Sequence, residues 1–181
     1  VLRVDVLSDA NFTANPPNSC YICKRRIFET IRAQAAADGF SVLLDGTNAS
    51  DDVNDRPGVR ALEELSVLSP LRMCSLTKDE IRRLSKEAGL FTWDKPAYAC
   101  LATRIPSGDA ITLEKLRATE RAEGALFAMG FRDFRVRRMG DAAKLQLRED
   151  QLNMALADRE RILSALRGDY SAVLLELEVR K

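Results

Sequence analysis

Along residues 1–89 the apolar positions switch between the period of a strand and the period of a helix. Residues 1–7 alternate apolar and polar side chains and predict a strand, and residues 40–44 predict a second, short apolar strand. Helical spacing covers three segments, which are residues 19–38, 61–65 and 78–88. Because strands and helices alternate in this order, the pattern predicts a parallel α/β domain.

Cap and turn residues mark the ends of these helices. Gly39 follows the first of them and Gly89 follows the third, as expected for glycine just beyond a helix. Thr77 and Glu80 have the spacing of a capping box, in which the two residues exchange hydrogen bonds across the first turn. The third helix is therefore predicted to begin directly after Thr77.

The last third of the chain has a different element order. Thr112 is the predicted cap of a helix that ends at Gly130, and residues 131–138 and 143–147 predict two strands. A helix over residues 150–166 and a strand over residues 171–179 complete an αββαβ order. This order predicts a small α+β unit with its helices on one face. With the boundary near residues 107–111, the predicted domains are residues 1–108 and 109–181.

Composition narrows the classes of function. With a net charge of +1 and 30% charged residues, the chain is not expected to bind nucleic acid or anionic membranes by broad electrostatic attraction. We find no apolar run of the roughly 20 residues that span a bilayer, and no secretory signal pattern. Four cysteines in a chain of this size lack the density of a disulfide scaffold, so we expect a reducing, cytoplasmic setting. The chain contains no histidine, which removes the usual base near neutral pH and every Cys–His or Ser–His pair. Any chemistry must therefore use cysteine, lysine, arginine, carboxylates or a ligand.

One cysteine stands in a segment rich in turn residues. Cys100 lies between Lys95 and Arg104, and Pro96 and Gly108 are among the residues that predict a shaped loop here. Flanking positive charge favours the thiolate, which is the reactive form of cysteine. The alternative is a buried structural cysteine. The charges and turn residues favour a reactive thiol.

The other cysteines and one polar loop are weaker signals. Cys20 and Cys23 form a CxxC pair at a helix start, which is typical of a redox-active pair or half of a metal site. Cys74 and Cys100 lack the spacing of a second pair, so a four-cysteine zinc site is disfavoured, and structural cysteines are the safer interpretation. The loop Asp45-Gly46-Thr47-Asn48 directly follows a predicted strand, where open α/β sheets bind ligands, although an Asx turn explains the same residues.

Two further pairs are candidates for binding. Arg135 and Arg137 share one face of a predicted strand, and paired guanidinium groups suit phosphate or carboxylate, although a solvated strand face explains them as well. Glu120 and Glu123 lie one helical turn apart and could hold a cation, but such a pair is more often an exposed helix face.

Six motifs occur in order along the chain. They are Asn15-Pro-Pro-Asn-Ser-Cys-Tyr-Ile-Cys-Lys24, Asp45-Gly-Thr-Asn-Ala-Ser-Asp-Asp52, Asp55-Arg-Pro-Gly58, Ser69-Pro-Leu71, Leu76-Thr-Lys-Asp-Glu-Ile-Arg82 and Trp93-Asp-Lys-Pro-Ala-Tyr-Ala-Cys100-Leu-Ala-Thr-Arg104-Ile-Pro. Taken together, these motifs resemble one family over nearly the whole chain. This family is LarE, the ATP-dependent sacrificial sulfur transferases of the PP-loop ATP pyrophosphatase superfamily.

The resemblance implies a role in making the nickel-pincer nucleotide cofactor of lactate racemase. ATP, with magnesium, would adenylate a carboxylate of a pyridinium mononucleotide, and Cys100 would attack the activated carbonyl and leave its sulfur behind as a thiocarboxylate. Cys100 itself would become dehydroalanine. Homo-oligomerisation is also expected. The residues implied by position are Lys95 and Arg104 as catalytic helpers, Asp45, Gly46, Thr47, Asn48 and Arg56 for the nucleotide, Arg135 and Arg137 for the substrate phosphate, and Glu123 for a metal.

The chain departs from the family pattern at two places. The glycine-rich phosphate loop that defines the superfamily is expected upstream of Val1, so the segment alone is expected to bind ATP poorly. Gln146 stands where the family often has an acidic residue, which puts a metal site using that carboxylate in doubt. Three alternatives stay open: sulfur supplied by an iron–sulfur cluster, a tRNA thiolase that cycles a persulfide, and a non-catalytic oligomerisation module.

Overall fold

The computed structural model describes residues 1–52, 57–96 and 98–180. Contacts divide the chain into two compact units, Val1–Lys95 and Pro96–Lys181. Residues 96–108, which the sequence pattern grouped with the first domain, therefore pack with the second unit. The reason is local, because Arg104 of this segment is buried against a helix of that unit.

The first unit is built mainly from helices. The helices predicted over 19–38 and 78–88 are confirmed, whereas the helix predicted over 61–65 begins at Pro57, inside the predicted turn, and two four-residue helices were not predicted. The capping box is also present, with Glu80 N–H donating to Thr77 Oγ1 and Thr77 N–H donating to Glu80 Oε2. Tyr21 Oη donates to Glu64 Oε2 at 2.6 Å and so links the second helix to the third. The helices are α1 (Ala10–Thr13), α2 (Ser19–Ala37), α3 (Pro57–Glu64), α4 (Pro70–Met73) and α5 (Lys78–Glu87).

The predicted parallel sheet of the first unit is not seen in the described residues. Residues 1–6 have no regular structure, and the segment 40–44 contributes one isolated parallel bridge, Leu44 to Leu68. A strand exists only where a neighbouring strand completes its hydrogen-bond ladder, and alternation alone does not supply that neighbour. The small core of this unit consists of Leu62, Leu65 and Val67, packed against Phe28 and Leu43.

The second unit confirms the predicted αββαβ order. Its strands form a sheet of order β1-β2-β3, antiparallel between β1 and β2 and parallel between β2 and β3. The predicted helix over 150–166 is divided at Asp158. The elements are a 3-10 turn (Leu101–Arg104), α6 (Leu113–Ala128), β1 (Arg135–Met139), β2 (Ala142–Gln146), a 3-10 turn (Glu149–Gln151), α7 (Leu152–Ala157), α8 (Arg159–Leu166) and β3 (Ala172–Leu175).

The two faces of this sheet differ in chemistry. Val136, Ala143 and Leu145 join the main core with residues of α6 and α8. Since successive side chains of a strand point to opposite faces, Arg137 on β1 and Lys144 and Gln146 on β2 share the other face. The sheet therefore presents a polar surface opposite the helix-covered core.

Candidate active site

Cys100 caps a short turn and presents an exposed thiol. It is the N-cap of the 3-10 turn Leu101–Arg104, and its thiol is not in a disulfide. The Cys100 carbonyl accepts hydrogen bonds from Thr103 N (3.0 Å) and Thr103 Oγ1 (2.7 Å). The main chain at Cys100 is thus held by the turn while the side chain is open to reagents, which excludes the buried structural alternative.

Arg104 secures this turn from inside the unit. Its Nε donates to Glu123 Oε1 at 2.7 Å and its Nη2 donates to Glu123 Oε2 at 3.2 Å, and both side chains are 1% exposed. Its Nη1 donates to Thr103 Oγ1 at 2.9 Å and reaches the Cys100 carbonyl at 3.4 Å. The structure therefore places Arg104 as a residue that positions the Cys100 turn.

Glu123 is the centre of this buried group. Besides Arg104, its Oε1 accepts a hydrogen bond from Val136 N at 3.0 Å, which ties α6 to the first strand of the sheet. Glu123 is therefore not on an exposed helix face, whereas Glu120 is exposed. Both carboxylate oxygens have donors from this chain, and the assignment of Glu123 to a metal stays a prediction.

Tyr98 covers the outer side of the ion pair. The Arg104 guanidinium carbon lies 5.5 Å from the centre of the Tyr98 ring, within the range of a cation–π contact. Burial and a hydrogen bond to Glu123 raise the pKa of Tyr98 to about 12. The phenol is thus neutral at physiological pH, two residues before Cys100.

The two arginines predicted to share a strand face have different surroundings. Arg135 is 6% exposed and donates from Nη1 to the Phe134 carbonyl at 2.7 Å. Burial, followed by the nearby charge of Arg104, lowers the pKa of Arg135. Arg137 is exposed, donates from Nη1 to the Thr103 carbonyl at 3.1 Å, and so touches the Cys100 turn directly.

Asp45 is the most firmly held residue of the predicted nucleotide loop, which lies in the first unit. Its carboxylate accepts from Ser69 Oγ (2.6 Å), Thr47 Oγ1 (2.5 Å) and Thr47 N (3.2 Å). Burial raises the pKa of Asp45, but the hydrogen bonds from Ser69 and Thr47 and the charge of Lys24 outweigh it and hold the pKa below its usual value. Asp45 and Ser69 directly follow the two bridged residues Leu44 and Leu68.

The remaining predicted residues are distributed through the first unit. Asn48 closes the same loop, with its N–H donating to Asp51 Oδ2 at 3.0 Å, while Arg56 lies outside the described residues. Lys95 is exposed, and its carbonyl accepts from Arg82 Nη2 at 3.2 Å. Cys20 is exposed in the first turn of α2, and Cys23, one turn later, is half-buried. The roles predicted for them remain predictions.

Sequence reasoning missed several contributors to these sites. Lys24 approaches Gly58 so closely that a Cβ on Gly58 would lie 2.9 Å from Lys24 Cδ, and its charge acts on Asp45. Ser69 and Lys24 both lie in matched motifs, which was an available signal. Thr103 also lies in a matched motif, although its contact with Arg137 arises only from packing. Glu176 lies in none of these motifs, and its contacts with Lys144 and Gln146 arise only when distant segments pack.

The described residues contain neither a metal-binding cluster nor a membrane-spanning helix. In the described ranges we find no group of three or more cysteine or acidic side chains arranged to hold a metal ion. No helix in the same ranges is both long enough and apolar enough to cross a bilayer.

Comparison with known proteins decides the family. The chain is 30% identical to the uncharacterized protein MJ0830 of Methanocaldococcus jannaschii over 179 residues, which is 98% of this chain and 70% of that protein. The chain belongs to the family of MJ0830. No family model matches it.

Two other relatives extend this family. An uncharacterized Synechocystis protein, slr1717, is 37% identical over 158 residues, covering 87% of this chain and 59% of that protein. Pyridinium-3,5-bisthiocarboxylic acid mononucleotide synthase of Lactiplantibacillus plantarum is 31% identical over 175 residues, covering 96% of this chain and 63% of the synthase. The chain thus spans about three fifths of the length of these two relatives, one of which is a named enzyme.

Proposed function

We propose that this chain is part of a LarE-type sulfur transferase of the PP-loop superfamily, which converts carboxylates of a pyridinium mononucleotide into thiocarboxylates for the nickel-pincer cofactor. The observation that carries the proposal is the Cys100 turn, which combines an exposed thiol with a main chain held by Thr103 and the buried Arg104. The similarity to the L. plantarum synthase along 96% of the chain supports the choice of substrate class.

The proposed reaction has three steps. First, a substrate carboxylate attacks the α-phosphorus of ATP and pyrophosphate leaves, which converts a poor leaving group into AMP. Second, the Cys100 thiolate attacks the acyl-adenylate carbon and AMP leaves, which forms a thioester. Third, a base removes the Cα proton of Cys100 and the Cβ–S bond breaks with its electrons on sulfur. The products are the substrate thiocarboxylate and dehydroalanine at position 100.

The residues divide between the steps by chemistry. Asp45, Gly46, Thr47, Asn48 and Arg56 are proposed to contact ATP, which magnesium would accompany, with Glu123 retained as a candidate metal ligand. Arg137 is proposed to bind the substrate phosphate, since an exposed guanidinium forms two-point hydrogen bonds to phosphate. Arg135 is proposed to add positive potential beside it. Lys95 is proposed to stabilise the thiolate, and Arg104 to fix the turn that carries it.

A second candidate rests on the CxxC pair. Cys20 is exposed and Cys23 lies one helical turn away, which is suitable for passing a persulfide to a substrate. In that case the enzyme is a cycling sulfurtransferase, fed by a persulfide or by an iron–sulfur cluster, and Cys100 survives turnover. The pyrophosphate-forming step is common to both candidates.

Mass spectrometry of one peptide distinguishes them. Trypsin releases residues 87–104, which contain Cys100 as their only cysteine, because cleavage between Lys95 and Pro96 is disfavoured. We expect this peptide, isolated from the intact protein after turnover with ATP and the mononucleotide, to be lighter by the mass of H₂S. An unchanged or persulfidated peptide after confirmed product formation would establish the cycling alternative. No pyrophosphate release at all would contradict both.

A further inference from the structure

Two cations face each other across the first two strands of the second unit. Arg137 on β1 and Lys144 on β2 are direct partners in the antiparallel register. Like charges at directly opposed positions destabilise a sheet unless an anion lies between or beside them. An anionic group on this face, beside the two cations, would offset their repulsion.

Glu176 supplies that anion from the residue after β3. Its N–H donates to the Leu145 carbonyl at 3.0 Å, which brings its side chain beside β2. One carboxylate oxygen accepts from Lys144 Nζ at 2.5 Å, and the other accepts from the Gln146 side-chain amide. Lys144 and Glu176 are 29% and 21% exposed, so water screens this pair less than it screens a surface salt bridge.

Gln146 connects Glu176 to Arg137 through two hydrogen bonds. Its amide nitrogen donates to Glu176, and its amide oxygen accepts from Arg137 Nε at 2.6 Å. A side-chain amide can accept from a guanidinium with its oxygen and donate to a carboxylate with its nitrogen. Gln146 is thus chemically matched to its place between a cation and an anion.

The chain of hydrogen bonds continues to the cysteine turn. Arg137 Nη1 donates to the Thr103 carbonyl, and Thr103 Oγ1 donates to the Cys100 carbonyl. The bonds to Gln146 and Thr103 use two of the five N–H donors of the Arg137 guanidinium, and the other three have no hydrogen-bond partner among the described residues. The guanidinium is therefore oriented by the protein and still equipped to bind a phosphate.

We propose that Glu176 is a positioning residue, which acts through Gln146 to hold the Arg137 guanidinium in the orientation that binds the anionic group of the substrate beside Cys100. The proposal rests on the proposed function for the identity of that substrate. Hydrogen bonds from Lys144 and Gln146 lower the pKa of Glu176, which favours its ionised form.

The first test measures the orientation of Arg137 without any substrate. In ¹H–¹⁵N spectra of the intact protein, a fixed Arg137 gives a sharp, slowly exchanging Nε–H signal, assigned by its loss in Arg137→Lys. We expect Glu176→Gln and Gln146→Ala to broaden or remove this signal. Asp169→Asn is the control, because it breaks an ion pair with Arg121 elsewhere in the same unit. An unchanged Arg137 signal in Glu176→Gln would overturn the proposal.

The second test measures binding of nicotinic acid mononucleotide by calorimetry. Glu176→Gln is expected to weaken binding about fivefold or more in the wild-type background and to have no effect in an Arg137→Ala background. Equal losses in both backgrounds would mean that Glu176 acts independently of Arg137, which contradicts the proposal. If the wild-type protein binds no mononucleotide, the proposed function fails, while the spectra still test the positioning of Arg137.

Exchanging the two side chains gives a rescue experiment. Gln146→Glu alone places two carboxylates together, and Glu176→Gln alone removes the charge that balances Lys144. The exchanged pair, Gln146→Glu with Glu176→Gln, again has one carboxylate and one amide between Arg137 and Lys144. We expect the exchanged pair to recover most of the Arg137 signal that each single variant loses. Additive losses would count against the proposal.

Discussion

Arg104 and Glu123 form a bidentate ion pair inside the second unit, with each side chain 1% exposed. The two residues are separated by 19 positions in the sequence, and the pair joins the Cys100 turn to helix α6. Val136 N–H also donates to Glu123, so one carboxylate organises a turn, a helix and a strand. The turn that carries the exposed cysteine is thus anchored by an almost fully buried ion pair.

Removing one partner of the Arg104–Glu123 ion pair should destabilise the second unit. Arg104→Met leaves the Glu123 carboxylate buried without its cation, which costs about 3–5 kcal/mol in comparable buried pairs. We expect a loss of that size in the free energy of unfolding, measured by urea denaturation. The matched control is Arg121→Met, since Arg121 is 57% exposed in its ion pair with Asp169 and its loss should be much smaller. Equal losses in both variants would contradict this account.

A double variant separates pairing from packing. Arg104→Met combined with Glu123→Leu removes both charges, and apolar pairs often replace buried ion pairs at little cost. We expect the double variant to be more stable than Arg104→Met alone, although the hydrogen bond from Val136 N–H is also lost. A double variant that is less stable than either single variant would show that the carboxylate mainly serves the backbone.

Removing the cysteine sulfur should abolish transfer and leave the fold unchanged. Cys100 is exposed, so Cys100→Ala removes little packing and should change the free energy of unfolding by less than about 0.5 kcal/mol. Product formation, measured as thiocarboxylate per enzyme, should fall to background while pyrophosphate release persists. Cys74→Ala is the control, because Cys74 is also exposed but lies outside the turn. Normal transfer by Cys100→Ala would overturn the proposed sulfur source.

The two arginines of β1 should respond differently to truncation. Arg135 is buried, so Arg135→Ala should lower the free energy of unfolding by about 1–3 kcal/mol. Arg137 is exposed, so Arg137→Ala should mainly weaken the binding of a mononucleotide phosphate, by about tenfold or more for a charged hydrogen bond. Urea denaturation and calorimetry measure the two effects. Stability loss in Arg137→Ala without a change in affinity would reverse the assignment.

Elements with local signals were predictable from the sequence. Spacing and cap residues predicted three features that are present: the capping box at Thr77, the Thr112 cap, and the order of strands and helices along the chain after residue 130. The strands predicted for residues 1–7, from alternation, and for residues 40–44, from a short apolar run, have only one bridge among the described residues, at Leu44. Alternation measures amphipathicity, whereas a sheet requires a partner strand that a local pattern cannot name.

The site was predictable in its members but not in its connections. Cys100, Arg104 and Glu123 were all identified from the sequence, yet nothing in it indicates that Arg104 bonds Glu123. The period of a strand placed Arg135 and Arg137 on one face, but only tertiary packing decides that one is buried and the other exposed. Glu176 was missed because its contacts with Lys144 and Gln146 depend on the pairing of β2 with β3.

Stability at low pH should depend on Asp45. Its pKa is held below the ordinary value of 3.8, because the hydrogen bonds from Ser69 and Thr47 outweigh the effect of burial. A lowered native pKa means that the unfolded chain binds a proton more readily, so this contribution is present above the unfolded pKa and is lost as pH falls through the native pKa.

Ser69→Ala removes one of the donors and should reduce the contribution. We therefore expect Ser69→Ala to lose stability relative to wild type at pH 5–7, with the difference shrinking toward pH 3. Thermal unfolding across this range measures it, with Ser66→Ala as a serine control. A Ser69→Ala deficit that stays constant down to pH 3 would mean that the serine acts through packing and not through the carboxylate.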